Sequence, residues 1–500
     1  MGNSRLMMPG WVPLLVSGGP TNLNPSFSGQ TVVFNSASNK MKPWLTSNRR
    51  PCFFFFALTV MAASALMAFT IPVSATPEKP NFVIIMADDL GYGDIGCFGS
   101  KTIPTPHIDA LAAEGMKFTD YHSNGAVCSP TRAALMTGRY QQRAGIGGVV
   151  SAARHRHTGL AVEETTFADV LSKNGYATAI FGKWHLGYDP KFNPVHQGFS
   201  RFRGYVSGNV DFFTHIDQAG YEDWWDQDNL SPENGYTTHL ITRHAIQFIE
   251  EVGDRPFCLY LPHEAPHYPY QGPNDSPIRE KGSVKKLKGE RTDIANAYRE
   301  MVVEMDKGVG EVIAALKTRG LRDSTLVIFC SDNGPTQNGS NGGLRGYKGQ
   351  IWEGGHRVPA IASWPGKITQ GSSTDITALS MDWFPTLLDA AGVSVPEGLA
   401  LDGVSLLPSL TQEGQMADRT LFWDVGGGTA VRQGDWKYVI EKVRGKKKGS
   451  KKTVKGAVGL YNLSRDLKES TPVDNPTVTG RLKAALDAWL ASWKNVEQRS

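Results

Sequence analysis

The sequence contains few cysteines. Five occur among 500 residues, and one of them, Cys52, lies in an N-terminal segment that we expect to be removed. The remaining four are too few to form a disulfide scaffold, so a hydrophobic core must hold the fold together. Cys258 and Cys330 lie inside apolar runs and are expected to be small buried residues. The sequence also lacks a long internal repeat, which excludes repeat architectures such as solenoids.

Acidic residues are absent from the first 75 residues, which carry five basic ones. Two arginines precede an apolar run over residues 53–71, and Val-Ser-Ala at 73–75 has the small-residue spacing of a signal-peptidase site. We therefore expect residues 1–75 to be a leader that is cleaved near Ala75, and the protein to be periplasmic or secreted. Met41 is a second candidate start. The alternative is a membrane anchor, but no positively charged stop-transfer segment follows the run.

Little net charge remains beyond the leader. Removing its five basic charges from the formal net charge of +4 leaves about −1, which gives no general attraction for nucleic acid. One basic cluster over residues 442–455 is interleaved with glycine; we interpret it as a solvated loop, with a polyanion contact as the alternative. Short alternating segments begin near residue 416. The sequence thus predicts a large domain over 76–415 and a small C-terminal α+β domain over 416–500, with a short antiparallel sheet and a helix.

Four short apolar runs each end in polar residues. The runs cover residues 81–87, 177–181, 257–261 and 326–330. Continuous apolar runs of this length are typical of parallel strands buried on both faces, and the segments between them have helical spacing. This alternation predicts an α/β fold with a doubly wound, mostly parallel sheet, in which ligands bind at the carboxyl ends of the strands. The side chains expected at that edge are Asp88, Asp89, Lys183, His185, His267, Asp332 and Asn333.

Oxygen ligands are concentrated at two of these strand ends. Asp88 and Asp89 follow the first run, and Asp332 and Asn333 follow the fourth. Carboxylate and amide oxygens suit calcium or magnesium better than zinc. The alternative is an ordinary turn at each end, in which the side chain bonds its own backbone. Convergence of both ends on one edge favours a metal site.

Residues 128–132, Cys-Ser-Pro-Thr-Arg, have the spacing Cys-x-Pro-x-Arg. A proline two residues after the cysteine fits the first turn of a helix, which residues 133–136 then propagate. Cys128 should therefore lie where free backbone N–H groups attract anions. A loop of the tyrosine-phosphatase kind needs an arginine six residues after its cysteine, where this chain has Ala134. The alternative is a buried cysteine that precedes a helix by chance.

Together, these segments resemble the type I, formylglycine-dependent sulfatases of the arylsulfatase and N-acetylgalactosamine-sulfatase branch. The resemblance implies a fold similar to alkaline phosphatase, one bound calcium ion, and hydrolysis of a sulfuric ester on a sulfated carbohydrate, such as a glycosaminoglycan or another sulfated polysaccharide. The motifs that carry it occur in the family's order: Asp-Asp-Leu-Gly-Tyr-Gly at 88–93, Cys-x-Pro-x-Arg at 128–132, Gly-Lys-Trp-His-Leu-Gly at 182–187, Pro-His-Tyr-Pro at 266–269, Ser-Asp-Asn-Gly at 331–334 and Gly-Tyr-Lys-Gly at 346–349.

The resemblance also implies a role for each matched residue. A maturation enzyme that reads the Cys-x-Pro-x-Arg segment converts Cys128 to formylglycine (3-oxoalanine). One hydroxyl of the hydrated aldehyde attacks sulfur, and the other lets sulfate leave by re-forming the carbonyl. The implied calcium ligands are Asp88, Asp89, Cys128, Asp332 and Asn333. The implied catalytic residues are Arg132 and Lys183, which hold the hydrate; Lys183 and Lys348, which neutralise the sulfate oxygens; His267, which protonates the leaving alcohol; and His185, which takes the proton that releases sulfate.

Two other functions stay open. Relatives with a similar formylglycine site hydrolyse phosphate diesters or phosphonate esters, so this reaction is the main alternative. The second is a calcium-containing binding protein without turnover, which the intact set of candidate catalytic residues disfavours.

An aromatic segment over residues 208–215 is a candidate sugar-binding loop. Together with Tyr221, Trp224 and Trp225 it is either a surface on which sugars stack or a loop that packs its own tryptophans. Candidate contacts to sugar hydroxyls or neighbouring sulfates are Arg201, Arg203 and His215.

Overall fold

A computed structural model of the protein describes residues 79–285, 290–414, 416–442 and 456–493. The predicted leader, residues 1–75, lies outside the described residues, as does the basic cluster beyond Lys442. The described residues belong to one compact unit. Within these ranges, no helix is both long enough and apolar enough to cross a membrane.

Strands and helices alternate along most of the described chain. The strands are β1 (Asn81–Ala87), β2 (Met116–Phe118), β3 (Tyr121–His122), β4 (Ala177–Lys183), β5 (Arg201–Tyr205), β6 (Trp225–Asp226), β7 (Asn229–Leu230), β8 (Phe257–Pro262), β9 (Thr325–Ser331), β10 (Ala360–Ser363), β11 (Ser372–Thr374), β12 (Ala378–Leu379), β13 (Thr420–Val425), β14 (Gly428–Gln433), β15 (Trp436–Glu441) and β16 (Val458–Asn462). The α-helices are α1 (Pro106–Ala113), α2 (Cys128–Thr137), α3 (Phe167–Lys173), α4 (Thr237–Glu251), α5 (Ile294–Thr318), α6 (Glu353–His356), α7 (Trp383–Ala390), α8 (Leu407–Leu410) and α9 (Pro476–Trp493).

The large sheet has ten strands in the order β11-β2-β10-β9-β1-β8-β4-β5-β6-β7. Its centre is parallel: β1 pairs with β8 and β9, and β4 pairs with β8 and β5. The four apolar runs therefore become the neighbouring strands β9, β1, β8 and β4. The sheet is mixed because β10 is antiparallel to both β9 and β2, a pairing that the short segment 360–363 did not reveal.

Alternate residues of the central strands face two different cores. In β1, Phe82, Ile84 and Met86 face one core, whereas Val83 and Ile85 face the other. Helices α2, α3 and α7 cover the first face, and α1, α4 and α5 cover the second. The predicted doubly wound, mostly parallel sheet is thus confirmed. Cys258 and Cys330 are fully buried in the first core, as predicted.

The C-terminal part forms a separate antiparallel sheet in the order β13-β14-β15-β16. Leu482 and Leu486 of α9 pack on it. The predicted small antiparallel sheet with a helix is confirmed. Its core also includes Ile351 and Trp352 from the large-sheet part of the chain, so the two parts share apolar contacts.

A buried ion-pair network also joins the two parts. Lys437 of β15 is fully buried, and its Nζ lies 2.8 Å from Glu353 and 2.9 Å from Glu469. The same Nζ lies 3.1 Å from Nε2 of His356. Glu353, His356 and His122 form a cluster of possible metal ligands, but Lys437 and Arg357 already supply positive charge to it.

We expect Lys437→Met to lower the free energy of unfolding by about 3–5 kcal/mol, because it leaves the buried carboxylate of Glu469 without its cation and Glu353 with Arg357 as its remaining charged partner among the described residues. Thermal unfolding monitored by circular dichroism would measure the change. Lys483→Met is the matched control, since Lys483 pairs with Asp487 on the exposed face of α9. A surface pair contributes little, so the control should unfold like the wild type. Equal midpoints for both variants would contradict the role of the network.

Candidate functional site

The polar ends of the central strands meet at one edge of the large sheet. Asp88 and Asp89 follow β1, and Asp332 and Asn333 follow β9, which is parallel to β1 and hydrogen-bonded to it. The backbone N–H of Asp332 donates to the carbonyl of Ala87 at 3.1 Å, which continues the ladder past the strand ends. Lys183 is the last residue of β4. The structure therefore brings the predicted strand-end residues together.

Cys128 is the first residue of α2, as predicted. Val127 before it is extended, and the whole helix is buried, with Cys128 only 2% exposed. The Sγ atom donates to Oδ1 of Asp88 at 3.2 Å and accepts from Nζ of Lys348 at 3.4 Å. The thiol thus lies between a carboxylate and an ammonium group at the start of a helix.

Each of the three carboxylates has its own cation. Lys183 pairs with Asp88, and Lys348 pairs with Asp89 at 2.6 Å. The third pair joins Arg132 of α2 to Asp332 of the neighbouring strand end: Nη2 lies 2.7 Å from Oδ2 of Asp332. The charges therefore balance. A divalent cation added to this set would give a net charge of about +2, which favours an anionic ester.

Lys348 comes from the loop between β9 and α6. Gly346 and Gly349 on either side of it have φ angles of 86° and 77°, in the left-handed region that favours glycine. The backbone N–H of Gly349 donates to the carbonyl of Ala126 at 2.7 Å, close to the start of α2. These turns bring the lysine over Cys128 and Asp89.

The carboxylates influence one another's protonation. Burial, followed by the negative charge of Asp88, raises the pKa of Asp332 to about 7. Burial opposes ionisation of Asp88 as well, but Lys183 and then His267 hold its pKa well below its usual range. Three buried carboxylates at one point are therefore costly, and a bound cation would favour full ionisation of the set.

The donor set fits a hard cation. Ligand atoms of Asp88, Asp89, Cys128 and His267 all lie within 4.8 Å of one another. The buried Oδ1 of Asn333 accepts no hydrogen bond from any described residue, although its Nδ2 donates to Asp89 at 2.7 Å. An orphaned amide oxygen beside carboxylates suits calcium. His267 joins this group although it was predicted only as a proton donor.

Hydrogen bonds set the tautomers of the two predicted catalytic histidines. Nε2 of His185 contacts the carbonyl of Val150 at 3.0 Å, so this nitrogen carries the proton and Nδ1 has a free lone pair. Nδ1 is buried without a partner in the described part of the chain. Burial, then Lys183 and Arg132, hold the pKa of His185 well below its usual range. A neutral imidazole with a free Nδ1 can accept a proton.

His267 has the opposite arrangement. Its Nδ1 lies 2.5 Å from the carbonyl of Tyr268 and donates to it, which leaves Nε2 facing the site, 3.7 Å from Asp89. Burial, followed by the charge of Lys348, lowers the pKa of His267 to about 4. An anionic group bound beside Nε2 would raise this pKa and favour the protonated form.

A cleft of about 210 Å³ opens onto these groups. Cys128, His185, His267 and Lys348 line its floor. The remaining lining residues are mostly neutral and polar, with two small apolar ones: Val149, Ser151, Ala152, Tyr188, Ser207, Gly208, Asn209 and Gln218.

Most of the residues that were predicted to contact a sugar instead pack against other parts of the protein. Trp224 is 1% exposed and stacks on the buried ring of His215, with centroids 4.3 Å apart. Arg203 pairs with Glu233 at 2.8 Å. Arg201 begins β5, whose other end lies beside Lys183, so it is at the far edge of the sheet. These side chains stabilise the loop and do not line the cleft.

The cleft residues of this loop are Ser207, Gly208, Asn209 and Gln218. Gly208 and Asn209 belong to the aromatic segment 208–215, which was predicted to bind sugar through its rings and not through its polar side chains. The sequence signal for Ser207, Gly208 and Asn209 is that they follow β5 after one residue, at the same sheet edge as Lys183, whereas Gln218 had none. Ser151 and Ala152, from the loop after α2, had no signal at all.

Known proteins are similar to this chain in sequence and in fold. A family model described as Sulfatase matches residues 80–393, and one described as N-sulphoglucosamine sulphohydrolase, C-terminal, matches residues 347–492. N-acetylgalactosamine-6-sulfatase of Mus musculus is 35% identical over 408 residues, covering 76% of this chain and 74% of the relative. Arylsulfatase A of Homo sapiens is 37% identical over 399 residues, covering 73% and 75%.

A solved structure, Ps i-CgsB in complex with k-i-k-neocarrahexaose, is 29% identical with a TM-score of 0.71 and covers 82% of this chain and 92% of its own. Both the family model and the relatives extend over more than half of this chain. They show that the chain belongs to the sulfatase family and is a sulfatase enzyme.

Proposed function

We propose that this sulfatase removes sulfate from a sulfated carbohydrate, using calcium and a formylglycine formed from Cys128. The observation that carries the proposal is the position of Cys128, whose Sγ lies 3.2 Å from Asp88 and 3.4 Å from Lys348 at the start of a buried helix. The cations at this point match the charge of a sulfate ester. The carboxylates match a divalent metal ion.

Asp88, Asp89, Asp332 and Asn333 are the proposed oxygen ligands of the calcium ion. When bound, calcium supplies positive charge that stabilises the sulfate oxygens and the attacking oxygen. Arg132 donates two hydrogen bonds to Oδ2 of Asp332, from Nε at 3.1 Å and from Nη2 at 2.7 Å. It thereby fixes the orientation of that carboxylate.

Formylglycine at position 128 supplies, as its hydrate, two hydroxyls for attack on sulfur and for release of sulfate. The unmodified thiol is a poor nucleophile here, because burial and then Asp332 and Asp88 raise its pKa. Cys128 and Arg132 are both buried in the folded chain. The maturation enzyme is therefore expected to act on the chain before it folds.

The remaining residues bind the ester and move protons. Lys348 contacts Cys128, and Lys183 pairs with Asp88, which also contacts Cys128; both lysines would neutralise the sulfate oxygens, with Arg132 and Lys183 orienting the hydrate. His267 presents Nε2 to the cleft and would protonate the leaving alcohol. His185 presents an unprotonated Nδ1 and would accept the proton whose loss releases sulfate.

A sugar is the favoured leaving group. Besides the four candidate catalytic residues, five of the eight residues that line the cleft have neutral polar side chains, which can hydrogen-bond to the hydroxyl groups of a sugar. Relatives in this family include an N-acetylgalactosamine-6-sulfatase, and one structural neighbour was solved with a neocarrahexaose. The proposed setting is periplasmic or extracellular, after cleavage of the predicted leader.

A hydrolysis panel tests the proposal. Purified enzyme would be incubated with N-acetylgalactosamine 6-sulfate, sulfated carra-oligosaccharides, 4-nitrophenyl sulfate and bis(4-nitrophenyl) phosphate, and released anions and phenol would be quantified. We expect release of sulfate from at least one saccharide. Faster turnover of the phosphate diester than of every sulfate would favour the phosphodiesterase alternative. A protein inactive on all four would contradict the proposed function.

His267→Ala should separate substrates by their leaving groups. We expect hydrolysis of a sugar sulfate to fall by about 10²- to 10⁴-fold, because the departing alkoxide needs a proton. Hydrolysis of 4-nitrophenyl sulfate should fall much less, since nitrophenolate leaves unaided. His185→Ala is the comparison variant: its proton transfer follows departure of the alcohol, so it should slow both substrates alike. Equal losses on both substrates for His267→Ala would contradict the assigned role.

A further inference from the structure

One polar side chain in the cleft has a hydrogen-bond donor that no described residue uses. Asn209 is 5% exposed and lines the cleft together with His185 and His267. Its Oδ1 accepts a hydrogen bond of 2.7 Å from Nη2 of Arg279. Within the described ranges Nδ2 has no acceptor, and it is not among the atoms sealed from solvent. A nearly buried NH₂ group of a residue that lines the cleft is available to a ligand there.

Arg279 determines which side of this amide faces the cleft. A guanidinium group has only donors, so the oxygen of Asn209 must face it and the NH₂ group must point away. Arg279 is itself only 6% exposed. Its Nη1 donates to the carbonyl of Ile216 at 3.2 Å, and its backbone N–H donates to Oδ2 of Asp211 at 3.1 Å. The orientation of the amide is therefore set by the protein.

Asp211 fixes the loop that carries Asn209. This fully buried carboxylate accepts backbone hydrogen bonds from Phe213 and Thr214 at 3.0 Å in its own loop. It also accepts one from Ile278 at 2.6 Å, in the segment that carries Arg279. Both partners of the amide contact are thus held before any substrate binds. A preorganised donor adds affinity because little conformational entropy is lost on binding.

We propose that Nδ2 of Asn209 donates a hydrogen bond to an uncharged oxygen, a hydroxyl or ring oxygen, of the sugar that carries the scissile sulfate. This inference rests on the proposed function. Lys183 and Lys348 already match the charge of the sulfate group, whereas Asn209 is neutral and lines the same cleft as the neutral side chains of Ser151 and Gln218. Asn209 is then a substrate-binding residue, and Arg279 is a positioning residue that acts through it.

The test compares Asn209→Ala with the wild type on two sulfate esters. One is a saccharide, either N-acetylgalactosamine 6-sulfate or a sulfated carra-oligosaccharide, and the other is 4-nitrophenyl sulfate. We expect kcat/KM to fall by about 10- to 100-fold on the saccharide and by less than about twofold on the nitrophenyl ester, which has no sugar oxygen. Asn462→Ala is the control, since Asn462 is a buried asparagine of β16, outside the cleft. It should leave the ratio of the two kcat/KM values unchanged.

Asn209→Asp is a second variant that keeps the contact with Arg279 and the shape of the side chain. Its added negative charge should weaken binding of both sulfate esters, but only the saccharide also loses the hydrogen bond from Nδ2. The ratio of kcat/KM on the saccharide to kcat/KM on the nitrophenyl ester should therefore fall again. Arg279→Met should lower this ratio in the wild-type background but not in the Asn209→Ala background, since a positioning residue needs the residue that it orients.

Three other outcomes would contradict either the role of Asn209 or the proposed function. Equal losses on both esters would place Asn209 against the sulfate or in the folded framework, and would overturn the inference while leaving the proposed function intact. A wild-type enzyme that cleaves 4-nitrophenyl sulfate but no saccharide would contradict a sugar-binding wall, and the inference with it. A wild-type enzyme inactive on every sulfate ester would overturn the proposed function itself.

Discussion

Replacement of Cys128 by alanine should abolish turnover, lowering kcat by about 10⁵-fold or more on sugar and nitrophenyl sulfates alike. The substitution removes the side chain that contacts both Asp88 and Lys348, and with it the proposed nucleophile. The variant should fold normally, because one small side chain at the start of a helix contributes little stability. Initial rates and the thermal unfolding midpoint, measured on the same preparation, would check both expectations.

Cys258→Ala is the matched control for this experiment. Cys258 is equally buried and has no disulfide partner, but it lies within β8 and faces the core. It should keep wild-type turnover.

Peptide mass analysis of the wild type adds an independent measurement, since kcat should rise in proportion to the fraction of chains that carry an aldehyde at position 128. Full activity in a preparation with an unmodified thiol would contradict the mechanism.

The central sheet was predictable because its strands are buried on both faces. Such strands must be apolar throughout, so the runs at 81–87, 177–181, 257–261 and 326–330 stand out from the rest of the sequence. Each ends within two residues of the predicted position. Parallel packing then forces their carboxyl ends onto one edge, which is why the strand-end residues of the site could be grouped without a structure.

Short strands were not predictable from the same signal. β10 has four residues and β2 has three, too few to display a periodicity, and the antiparallel pairing of β10 with β2 and with β9 depends on tertiary contacts. The ion-pair network of Lys437 was also missed, because its partners Glu353 and Glu469 are separated from it in sequence and nothing local marks them as buried.

The loop after β5 shows why a residue type alone does not identify a ligand contact. Trp224 and His215 have the chemistry that binds sugars, but both are buried against each other. Asn209 faces the cleft because Arg279 takes its oxygen, and Arg279 lies 70 residues further along the chain. Such a contact leaves no periodicity or characteristic spacing in the sequence, so the polar residues that line the cleft could be identified only from the structure.

Removal of a proposed calcium ligand should eliminate both the metal and the activity. Asp332→Ala deletes one carboxylate and leaves Arg132 without its partner, so we expect less than one tenth of the wild-type metal content and a fall in kcat of at least about 10³-fold. Metal content of the purified protein would be measured by inductively coupled plasma mass spectrometry. Because an ion that binds only the folded state stabilises it, calcium should raise the thermal midpoint of the wild type but not that of the variant.

A second buried carboxylate separates loss of metal from loss of stability. Asp306 is 1% exposed and accepts backbone hydrogen bonds at the start of α1, from His107 at 3.1 Å and Ile108 at 2.8 Å, outside the site. Asp306→Ala should unfold at a lower temperature yet retain about one calcium ion per chain and its calcium-dependent shift, since its carboxylate touches no proposed ligand. Wild-type calcium content in Asp332→Ala, or equal losses of metal in both variants, would show that the carboxylates at the ends of β1 and β9 do not hold the ion. The three carboxylates would then be neutralised by Arg132, Lys183 and Lys348 without a metal ion. In that case Lys183 and Lys348 would be the residues that bind the sulfate oxygens.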